Sequence, residues 1–366
     1  MRRTHPLIVG GGPAGATAAI LLARGGEKPL LIERSAGPRD IVCGGFLGWD
    51  ALALLRRSGI DADALGAQPI SQLHLVAGDR RTLVDLPFPA AGLSRRTLDA
   101  ALLAQAASEG AAIETGVIAR EIDAERKLVR TSDNMIAGDA LFLATGKHEL
   151  RGAARDVPDN ADPSIGFRVR LGATPALQHA LRHRIEMILF DRGYAGLILQ
   201  EDGAANLCFT VAQSRLDETE GDRTRLLASL ATEAPVLGER IGQGDGISGW
   251  ASIARVPYGW RRSHTRPGVF RLGDQAAVIA SLAGDGIAIA LESAHAATEH
   301  YRRHGPAGAV QFQQDFAAHA RRPIWIAERL RAMAQRGGLA PAGIAMLDYL
   351  PSMAQLVTRM TRISGY

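Results

Sequence analysis

The chain has 366 residues, of which 46% are hydrophobic and 22% charged, and its formal net charge is +4. This composition excludes a disordered or collagen-like chain, and the length allows two domains that share a core. Basic and acidic residues alternate, without a long basic run that contains aromatic residues, so we expect no nucleic-acid partner.

Cysteine usage and hydropathy point to a cytoplasmic protein. Cys43 and Cys208 are too far apart in sequence to suggest a disulfide framework or a metal-binding spacing, so we expect a reducing compartment and no metal. The first residues enter a strand pattern at once, so we expect no cleaved signal sequence. We expect no integral membrane segment, whereas a peripheral membrane contact through the arginine-rich C-terminal helices stays open. The sequence does not predict an oligomeric state.

The first 34 residues predict a strand, a helix and a second strand. Gly10, Gly12 and Gly15 form G-x-G-x-x-G between the first strand and the helix, where a pyrophosphate can approach the backbone and the helix N-terminus. Glu33 ends the second strand, where a carboxylate can bind both hydroxyls of an adenosine ribose. We therefore predict dinucleotide binding, with glycine bends made only for packing as the alternative. The predicted binding residues of this unit are Gly10, Gly12, Pro13, Ala14, Gly15, Glu33 and Arg34.

The next segments are a glycine-containing loop and two helices. The stretch IVCGGFLGWD, residues 41–50, contains Cys43, Gly44 and Gly45, and glycine backbone can approach a ring closely. A short helix is predicted over residues 50–59, with Asp50 as its N-cap and Gly59 as its stop. A second helix is predicted over residues 94–110.

After a buried strand at residues 141–143 and a loop at Thr145 and Gly146, the pattern changes. Short alternating runs over residues 164–260 predict an antiparallel sheet, interrupted by one helix near residues 223–234. Tyr258 and Trp260 stand beside a Pro-Tyr-Gly bend, where they would line a substrate pocket or fill the domain junction. A strand, loop and helix return at residues 268–305. We predict four segments: a dinucleotide-binding domain over 1–155, a substrate domain over 156–262, a segment that returns to the first domain over 263–305 and a helical region over 306–366.

The returning segment resembles a known family. RLGDQAA at 271–277 and LAGDGIAIALESA at 282–294 are similar to the class A flavoprotein monooxygenase superfamily, and more closely to its geranylgeranyl reductase branch. Further matches are CGG at 43–45, Arg95 with Leu98 and Asp99, LATGKH at 143–148, and the pair GYAGLIL and ANLCF between 193 and 209. The resemblance covers residues 5 to 300.

The resemblance implies the para-hydroxybenzoate hydroxylase fold, in which an α/β, Rossmann-like FAD-binding domain with a mixed sheet is interleaved with an antiparallel substrate domain. It implies FAD as cofactor, with Asp274 at the ribityl-pyrophosphate and Arg95 near the phosphates; a helix cap is the alternative for Asp274. Unpaired N–H groups at the helix start after Gly284 would stabilise negative charge on the reduced flavin. The remaining predicted cofactor residues are Cys43, Gly44, Gly45, Thr145, Gly146, Gly273, Gly286 and Ile287.

Two positions depart from the family. Thr145 replaces an Asp, and Gly196 stands where the reductase branch often has Trp, which would leave more room over the flavin. A second nucleotide-binding motif is missing from the sequence, so NAD(P)H would visit a shared groove transiently.

Three functions follow. The first is monooxygenation of a hydrophobic or aromatic small molecule, in which NAD(P)H reduces FAD and O2 forms a C4a-hydroperoxide. The second is reduction of isoprenoid or lipid double bonds, and the third is an electron-transfer role without an organic substrate. The candidate catalytic residues are Cys43, Tyr258, Trp260 and His148. Cys43 is a proton donor or pocket wall in the second function and an inert thiol in the first.

Overall fold

The computed structural model describes residues 2–4, 6–335 and 359–363. The strands in this part of the chain are β1 (Arg2–Thr4), β2 (Leu7–Val9), β3 (Leu30–Glu33), β4 (Phe46–Leu47), β5 (Gln68–Ala77), β6 (Arg80–Gly92), β7 (Ala112–Thr115), β8 (Ala119–Asp123), β9 (Leu128–Thr131), β10 (Met135–Gly138), β11 (Leu141–Leu143), β12 (Ser164–Leu171), β13 (Arg184–Phe190), β14 (Gly193–Leu199), β15 (Ala205–Ala212), β16 (Ile247–Ile253) and β17 (Val269–Arg271).

The α-helices of the same part are α1 (Pro13–Arg24), α2 (Trp49–Arg57), α3 (Arg95–Ser108), α4 (Pro175–Leu181), α5 (Gln213–Asp217), α6 (Arg223–Glu233), α7 (Pro235–Gln243), α8 (Gly286–His304), α9 (Gly308–His319) and α10 (Arg321–Ala334). Short 3-10 helices cover Gly273–Gln275, Ser281–Ala283 and Gly305–Ala307.

A five-stranded parallel sheet forms the centre of the first domain, in the order β17-β11-β2-β3-β7. The strands β2, β3, β11 and β17 are short apolar runs that are buried almost throughout, which is the usual pattern of parallel strands covered by helices, whereas the edge strand β7 is partly exposed. The helix α1 begins with Pro13 and ends before Gly25, and its alanines are buried, so it can lie close to the sheet and to α8. The predicted β-α-β start is therefore confirmed.

A separate four-stranded sheet, in the order β1-β10-β9-β8, packs beside the parallel sheet. The pairs β10-β9 and β9-β8 are antiparallel, whereas β1 and β10 are parallel. The domain is thus of mixed strand direction, as predicted, but the antiparallel pairs are confined to this second sheet.

The third sheet has eight strands in the order β16-β12-β15-β14-β13-β5-β6-β4, antiparallel except for the pair β13-β5. One face is apolar and is covered by α4, α6 and α7. The helix α6 lies where the sequence predicts one; α4, α5 and α7 were not predicted. The strands β4, β5 and β6 lie inside the segment predicted as FAD domain, so the chain enters this sheet earlier than the boundary at residue 156 implies.

Three predicted element ends differ from the structure. The helix α2 has Gly48 as its N-cap, and Asp50 lies in the first turn, because its side chain turns toward Arg362 instead of capping the helix. Strand β16 ends at Ile253, since Pro257 lacks an N–H and Gly259 has φ +86°, which together make the following stretch a bend. Helix α3 begins after Ser94, whose side chain accepts from Thr97 N–H, as a capping residue does.

The C-terminal region contains α9 and α10, which bears out the helical prediction for residues 308–334. The prediction for residues 336–358 and 364–366 lies outside the described residues. Among the described helices, none is both long and apolar enough to cross a bilayer.

Candidate functional site

The predicted cofactor residues converge at one edge of the parallel sheet. Gly10 follows β2, Glu33 ends β3, Thr145 follows β11 and Asp274 follows β17. The carboxyl ends of parallel strands form the crevice in which such sheets bind ligands. The structure therefore brings together residues that are spread over more than half of the chain.

The glycine-rich turn is tightly packed and leaves the start of α1 open. A Cβ on Gly15 would lie 1.9 Å from Gly10 O, and Gly10 itself has φ +109°. Gly12 is the N-cap of α1, with no side chain capping the helix, and Arg95 Nη2 would lie 3.2 Å from a Cβ on Gly12. A backbone without side chains, open N–H groups and an arginine fit the pyrophosphate of a dinucleotide.

Glu33 is held against the glycine-rich turn. Its carboxylate accepts hydrogen bonds from Gly11 N–H at 2.7 Å and from Ser35 N–H at 2.8 Å. A carboxylate has further lone pairs, so it can still accept from ribose hydroxyls. Next to it, Arg34 Nη2 lies 2.8 Å from His148 Nε2. Burial and then the Arg34 and Arg39 charges lower the pKa of His148, so its ring is neutral and accepts from Arg34.

Arg95 joins the glycine-rich turn to the Cys43 loop. Its guanidinium makes two hydrogen bonds to Asp99, at 2.9 and 2.8 Å, and also hydrogen-bonds the Cys43 side chain. Burial opposes the charge of Arg95, but Asp99 and Cys43 outweigh burial and raise the pKa of Arg95. A permanent positive charge therefore lies between Cys43 and the start of α1.

The loop at residues 43–45 is fastened to the eight-stranded sheet. Asn206 Nδ2 donates to Cys43 O at 2.9 Å and to Gly44 O at 2.8 Å. Arg168 holds Asn206 through Oδ1 at 2.8 Å and also pairs with Asp40 at 3.1 Å. Asn206 on β15 thus holds the loop at Cys43 and Gly44, and Arg168 on β12 holds the preceding stretch at Asp40.

The second cysteine lies on the sheet under this loop. Cys208 stands on the same face of β15 as Asn206 and Thr210, because side chains two residues apart share a face. Burial, and next the Cys43 group, raises the pKa of Cys208 to about 12. Cys208 is therefore a neutral thiol at the floor of the junction.

Lys147 links the Thr145 loop to Asp274. Its Nζ lies 3.3 Å from Asp274 Oδ2, and this carboxylate raises the pKa of Lys147 against the effect of burial. Gln275 Nε2 donates to Gly146 O at 2.9 Å and to His148 O at 3.1 Å. The residue before the 3-10 helix at 273–275 is Leu272, and no side chain caps it, so the helix-cap interpretation of Asp274 is wrong.

We expect Asp274→Asn to weaken FAD binding by about 10- to 100-fold, because it removes a charged hydrogen-bonding group and leaves Lys147 without its carboxylate. Titration of apoprotein with FAD, followed by flavin fluorescence, measures the loss. Asp315→Asn is the control, since Asp315 lies on α9 beside His300. Equal FAD affinity in both variants would contradict a cofactor role for Asp274.

A cluster of four hydroxyl groups lies on the substrate side of the junction. Tyr194 OH is 2.6 Å from Ser281 Oγ, and Tyr258 OH is 3.0 Å from the same atom. Thr210 Oγ1 lies 3.5 Å from both Tyr258 OH and Ser281 Oγ. Burial, and next the Tyr258 group, raises the pKa of Tyr194 well above its usual range, so Tyr194 stays protonated. We call these four residues the hydroxyl cluster.

The start of α8 has an unexpected charge arrangement. Gly284 has φ +74° and packs on Phe46, since a Cβ there would lie 2.9 Å from the ring. Asp285, the N-cap, pairs with Arg362, and Asp50 faces the same guanidinium. Gly286 and the buried Ile287 open the helix. Burial raises the pKa of Asp285 to about 8, against the opposing effect of Arg362.

Three of the four predicted catalytic residues lie outside the hydroxyl cluster: Cys43, in the loop that Asn206 holds, and Trp260 and His148. Trp260 Nε1 donates to Asp156 O at 2.8 Å, and Arg155 lies 5.7 Å from its ring. His148 lies at the protein surface beside Arg34, where neighbouring groups cover enough of its ring to lower its pKa. Tyr258, by contrast, belongs to the cluster and acts electrostatically on Lys147. At Gly196, the Met187 side chain of the paired strand fills the space beside the glycine, with Sδ 3.2 Å from an added Cβ, and the extra room over the flavin stays a prediction.

Several residues of the site were not predicted from the sequence. Asn206, Thr210 and Tyr194 were not chosen, although polar residues alternate with Leu207, Phe209 and Val211 along β15 and so indicate one polar face. Lys147 appeared only as part of the matched stretch LATGKH. Arg362 carried no signal, since only folding brings it to α8.

Comparison with known proteins identifies the N-terminal part. Residues 3–132 match the family described as FAD binding domain. Over 185 residues the chain is 25% identical to the probable electron transfer flavoprotein-quinone oxidoreductase YdiS of Escherichia coli. This match covers 46% of this chain and 43% of that protein. The chain is 29% identical over 171 residues to the menaquinone reductase of Mycolicibacterium smegmatis, and this match covers 45% of this chain and 39% of that protein. The matches thus span less than half the length of these curated relatives.

Solved structures show the same fold along the chain. A flavoprotein/dehydrogenase of Cytophaga hutchinsonii has a TM-score of 0.82 at 18% identity, covering 100% of this chain and 93% of that one. PqsL, a probable FAD-dependent monooxygenase of Pseudomonas aeruginosa, has a TM-score of 0.72 at 16% sequence identity, and the match covers 94% of this chain and 100% of that one. A geranylgeranyl bacteriochlorophyll reductase-like protein of Thermoplasma acidophilum has a TM-score of 0.68 at 21% sequence identity, and the match covers 100% of this chain and 94% of that one. The predicted fold class is confirmed.

Proposed function

Since residues 3–132 belong to the FAD-binding domain family and the chain has the fold of class A flavoproteins, we propose that it is an FAD-dependent monooxygenase that acts on a hydrophobic, aromatic small molecule bearing an oxygen. FAD would supply the two-electron chemistry that activates O2, with NAD(P)H as the proposed reductant. The hydroxyl cluster is the observation that carries this proposal.

The cluster suits the polar end of an aromatic substrate. Tyr194 is buried and stays protonated, so its hydroxyl group is able to donate to Ser281 Oγ, while Tyr258 is only partly buried and offers the accessible end. A phenol or carbonyl oxygen that reaches Tyr258 would exchange a hydrogen bond with its hydroxyl group. Ser281 of this cluster lies three residues before Gly284. We propose that the segment around Gly284 lies next to the flavin ring. The substrate oxygen would therefore be oriented close to the reacting ring.

The other residues of the site bind the cofactor and compensate its charge. The open N-terminus of α1 and Arg95 would bind the phosphates, and Glu33 the ribose. The N–H groups at the start of α8 and the permanent charge of Arg95 would stabilise negative charge on the reduced cofactor. Cys208 remains a neutral thiol, as an oxygenating site requires.

Reduction of a double bond is the second candidate, because one observation favours it. The Cys43 side chain interacts electrostatically with both Arg95 and Lys147, so two cations act on it. Such a position suits a thiol that gives a proton to a substrate. Turnover under labelled O2 separates the two: labelled product supports oxygenation, and anaerobic conversion to a saturated product would overturn it.

We expect Tyr258→Phe to raise KM for a phenolic substrate about tenfold, because one hydrogen bond to the substrate oxygen is lost. FAD affinity should not change. Steady-state kinetics with a phenol and with its unsubstituted hydrocarbon analogue measure the effect, which should be absent for the analogue.

Tyr301→Phe is the matched control. Tyr301 OH bonds Asp139 Oδ2 at 3.0 Å inside the first domain, so its loss removes a tyrosine hydroxyl away from the cluster. An equal rise of KM for both analogues in Tyr258→Phe would argue against an oxygen-binding role.

A further inference from the structure

One side of α10 presents cations and large apolar side chains to solvent. Arg322, Trp325, Arg329 and Met333 are exposed and follow each other at spacings of three and four residues, so they form one stripe along the helix. Trp325 is 59% exposed and Met333 46% exposed, and the Arg329 guanidinium lies 5.1 Å from the centre of the Trp325 ring. We call this stripe, together with the adjacent Arg321, the α10 face.

The other side of α10 fixes the direction of this face. Ile324, Ile326 and Ala327 are buried, and Ile324 and Ala327 belong to the main hydrophobic core. Burial of these side chains holds the helix at a set rotation. Trp325 and Met333 are therefore exposed to solvent in the folded protein, and no conformational change is needed to present them.

Cations predominate on the α10 face. Within the described part of the chain, no carboxylate pairs with Arg321, Arg322 or Arg329. Glu328, the one acidic residue of the helix, turns to the other side and pairs with Arg331 at 2.8 Å. Arg261 is a further cation close to Arg321: burial, and then the charge of Arg321, lower its pKa, but a guanidinium stays protonated at neutral pH. Cations placed side by side in this way attract an anionic surface.

We propose that the α10 face docks on an anionic lipid bilayer surface. Arginine binds lipid phosphates, and tryptophan prefers the boundary between headgroups and acyl chains. Binding of a polyanion such as nucleic acid would explain the arginines, but it would not explain why Trp325 and Met333 are exposed beside them. The combination of both residue types on one fixed helical stripe favours the bilayer.

This docking would bring the substrate site close to the membrane. The inner side of α10 borders the hydroxyl cluster, where Arg331 Cζ lies 5.5 Å from the Tyr258 ring centre and Gly259 packs against Glu328. A single helix thus separates the α10 face from the hydroxyl cluster, which suits a substrate that dissolves in lipid. The docking itself does not depend on the proposed reaction, because vesicle binding is measured without turnover.

Co-sedimentation with lipid vesicles tests the proposal. The full-length holoprotein should bind vesicles made of equal parts phosphatidylglycerol and phosphatidylcholine and should bind phosphatidylcholine alone only weakly. Arg322→Gln and Arg329→Gln should each lower the vesicle affinity about fivefold. Trp325→Ser should lower it as well and should abolish the blue shift of tryptophan fluorescence that vesicles induce in the parent protein.

The matched control replaces another exposed cation and apolar residue. Arg81 and Leu83 lie on β6, and Leu83 is 50% exposed. The pair Arg81→Gln and Leu83→Ser should leave vesicle binding unchanged. Binding to heparin but not to anionic vesicles, or concentration-dependent self-association that Trp325→Ser removes without any vesicle binding, would overturn the proposal.

Discussion

Gly15→Ala is expected to abolish FAD binding, with a loss of affinity of at least about 100-fold. The added Cβ would lie 1.9 Å from Gly10 O, and the neighbours are backbone atoms and Ala144 Cβ, which cannot move aside. Helix α1 must then separate from the sheet, at a cost of about 3 kcal/mol or more in the free energy of unfolding. FAD titration of the apoprotein and urea unfolding measure the two losses.

Gly242→Ala is the control for this substitution. Gly242 is also helical, in α7, but nothing lies within 4 Å of an added Cβ there. Alanine should raise the free energy of unfolding by up to about 1 kcal/mol through its higher helix propensity, and FAD affinity should stay the same. FAD binding by Gly15→Ala as tight as in this control would contradict the role of the glycine-rich turn.

Arg362→Leu is expected to lower the free energy of unfolding by about 3 to 5 kcal/mol, because a buried cation is removed from two buried carboxyl groups. Asp50 Oδ2 and Asp285 Oδ2 have no hydrogen-bond partner within the described part of the chain, so the guanidinium is their main compensation. Urea unfolding at several pH values measures the loss. It should increase with pH, since ionisation makes the uncompensated charge more costly.

The parent protein should show a pH dependence of its own at this cluster. Unfolded Asp285 releases its proton near about pH 4, whereas burial raises the folded pKa to about 8. The free energy of unfolding therefore falls as pH rises between these values, and it levels off above the folded pKa. Asp285→Asn removes this contribution, so its stability should depend less on pH. An Arg362→Leu variant that is equally stable at about pH 6 and about pH 9 would contradict this account.

Local sequence patterns were sufficient for the β-α-β start of the first domain. The spacing of Gly10, Gly12 and Gly15 predicts the turn, because only glycine tolerates φ +109° at Gly10 and the contact at Gly15. Glu33 follows from the same unit, since it ends the adjacent parallel strand. These features depend on contacts between neighbours in sequence or between adjacent strands, and the sequence pattern contains both.

The substrate side was predicted less well. Alternation along β15 places Asn206 and Thr210 on one face, and this much is a property of any strand. That Asn206 binds the loop at Cys43, and that Thr210 meets Tyr258 and Ser281, depends on how β12, β14 and β15 pair. Pairing between distant strands leaves no mark in a single sequence.

The sequence by itself determined that the chain begins with an FAD-type β-α-β unit, has an antiparallel second region and returns to the first sheet before α8. Periodicity, glycine spacing and helix ends are local, and these are what a single sequence records. The tertiary structure alone decided that β5 and β6 join the substrate sheet, that Met187 fills the space beside Gly196, and that Arg362 reaches Asp285. These outcomes depend on which distant surfaces bury each other, because packing energy is shared among segments far apart in the chain.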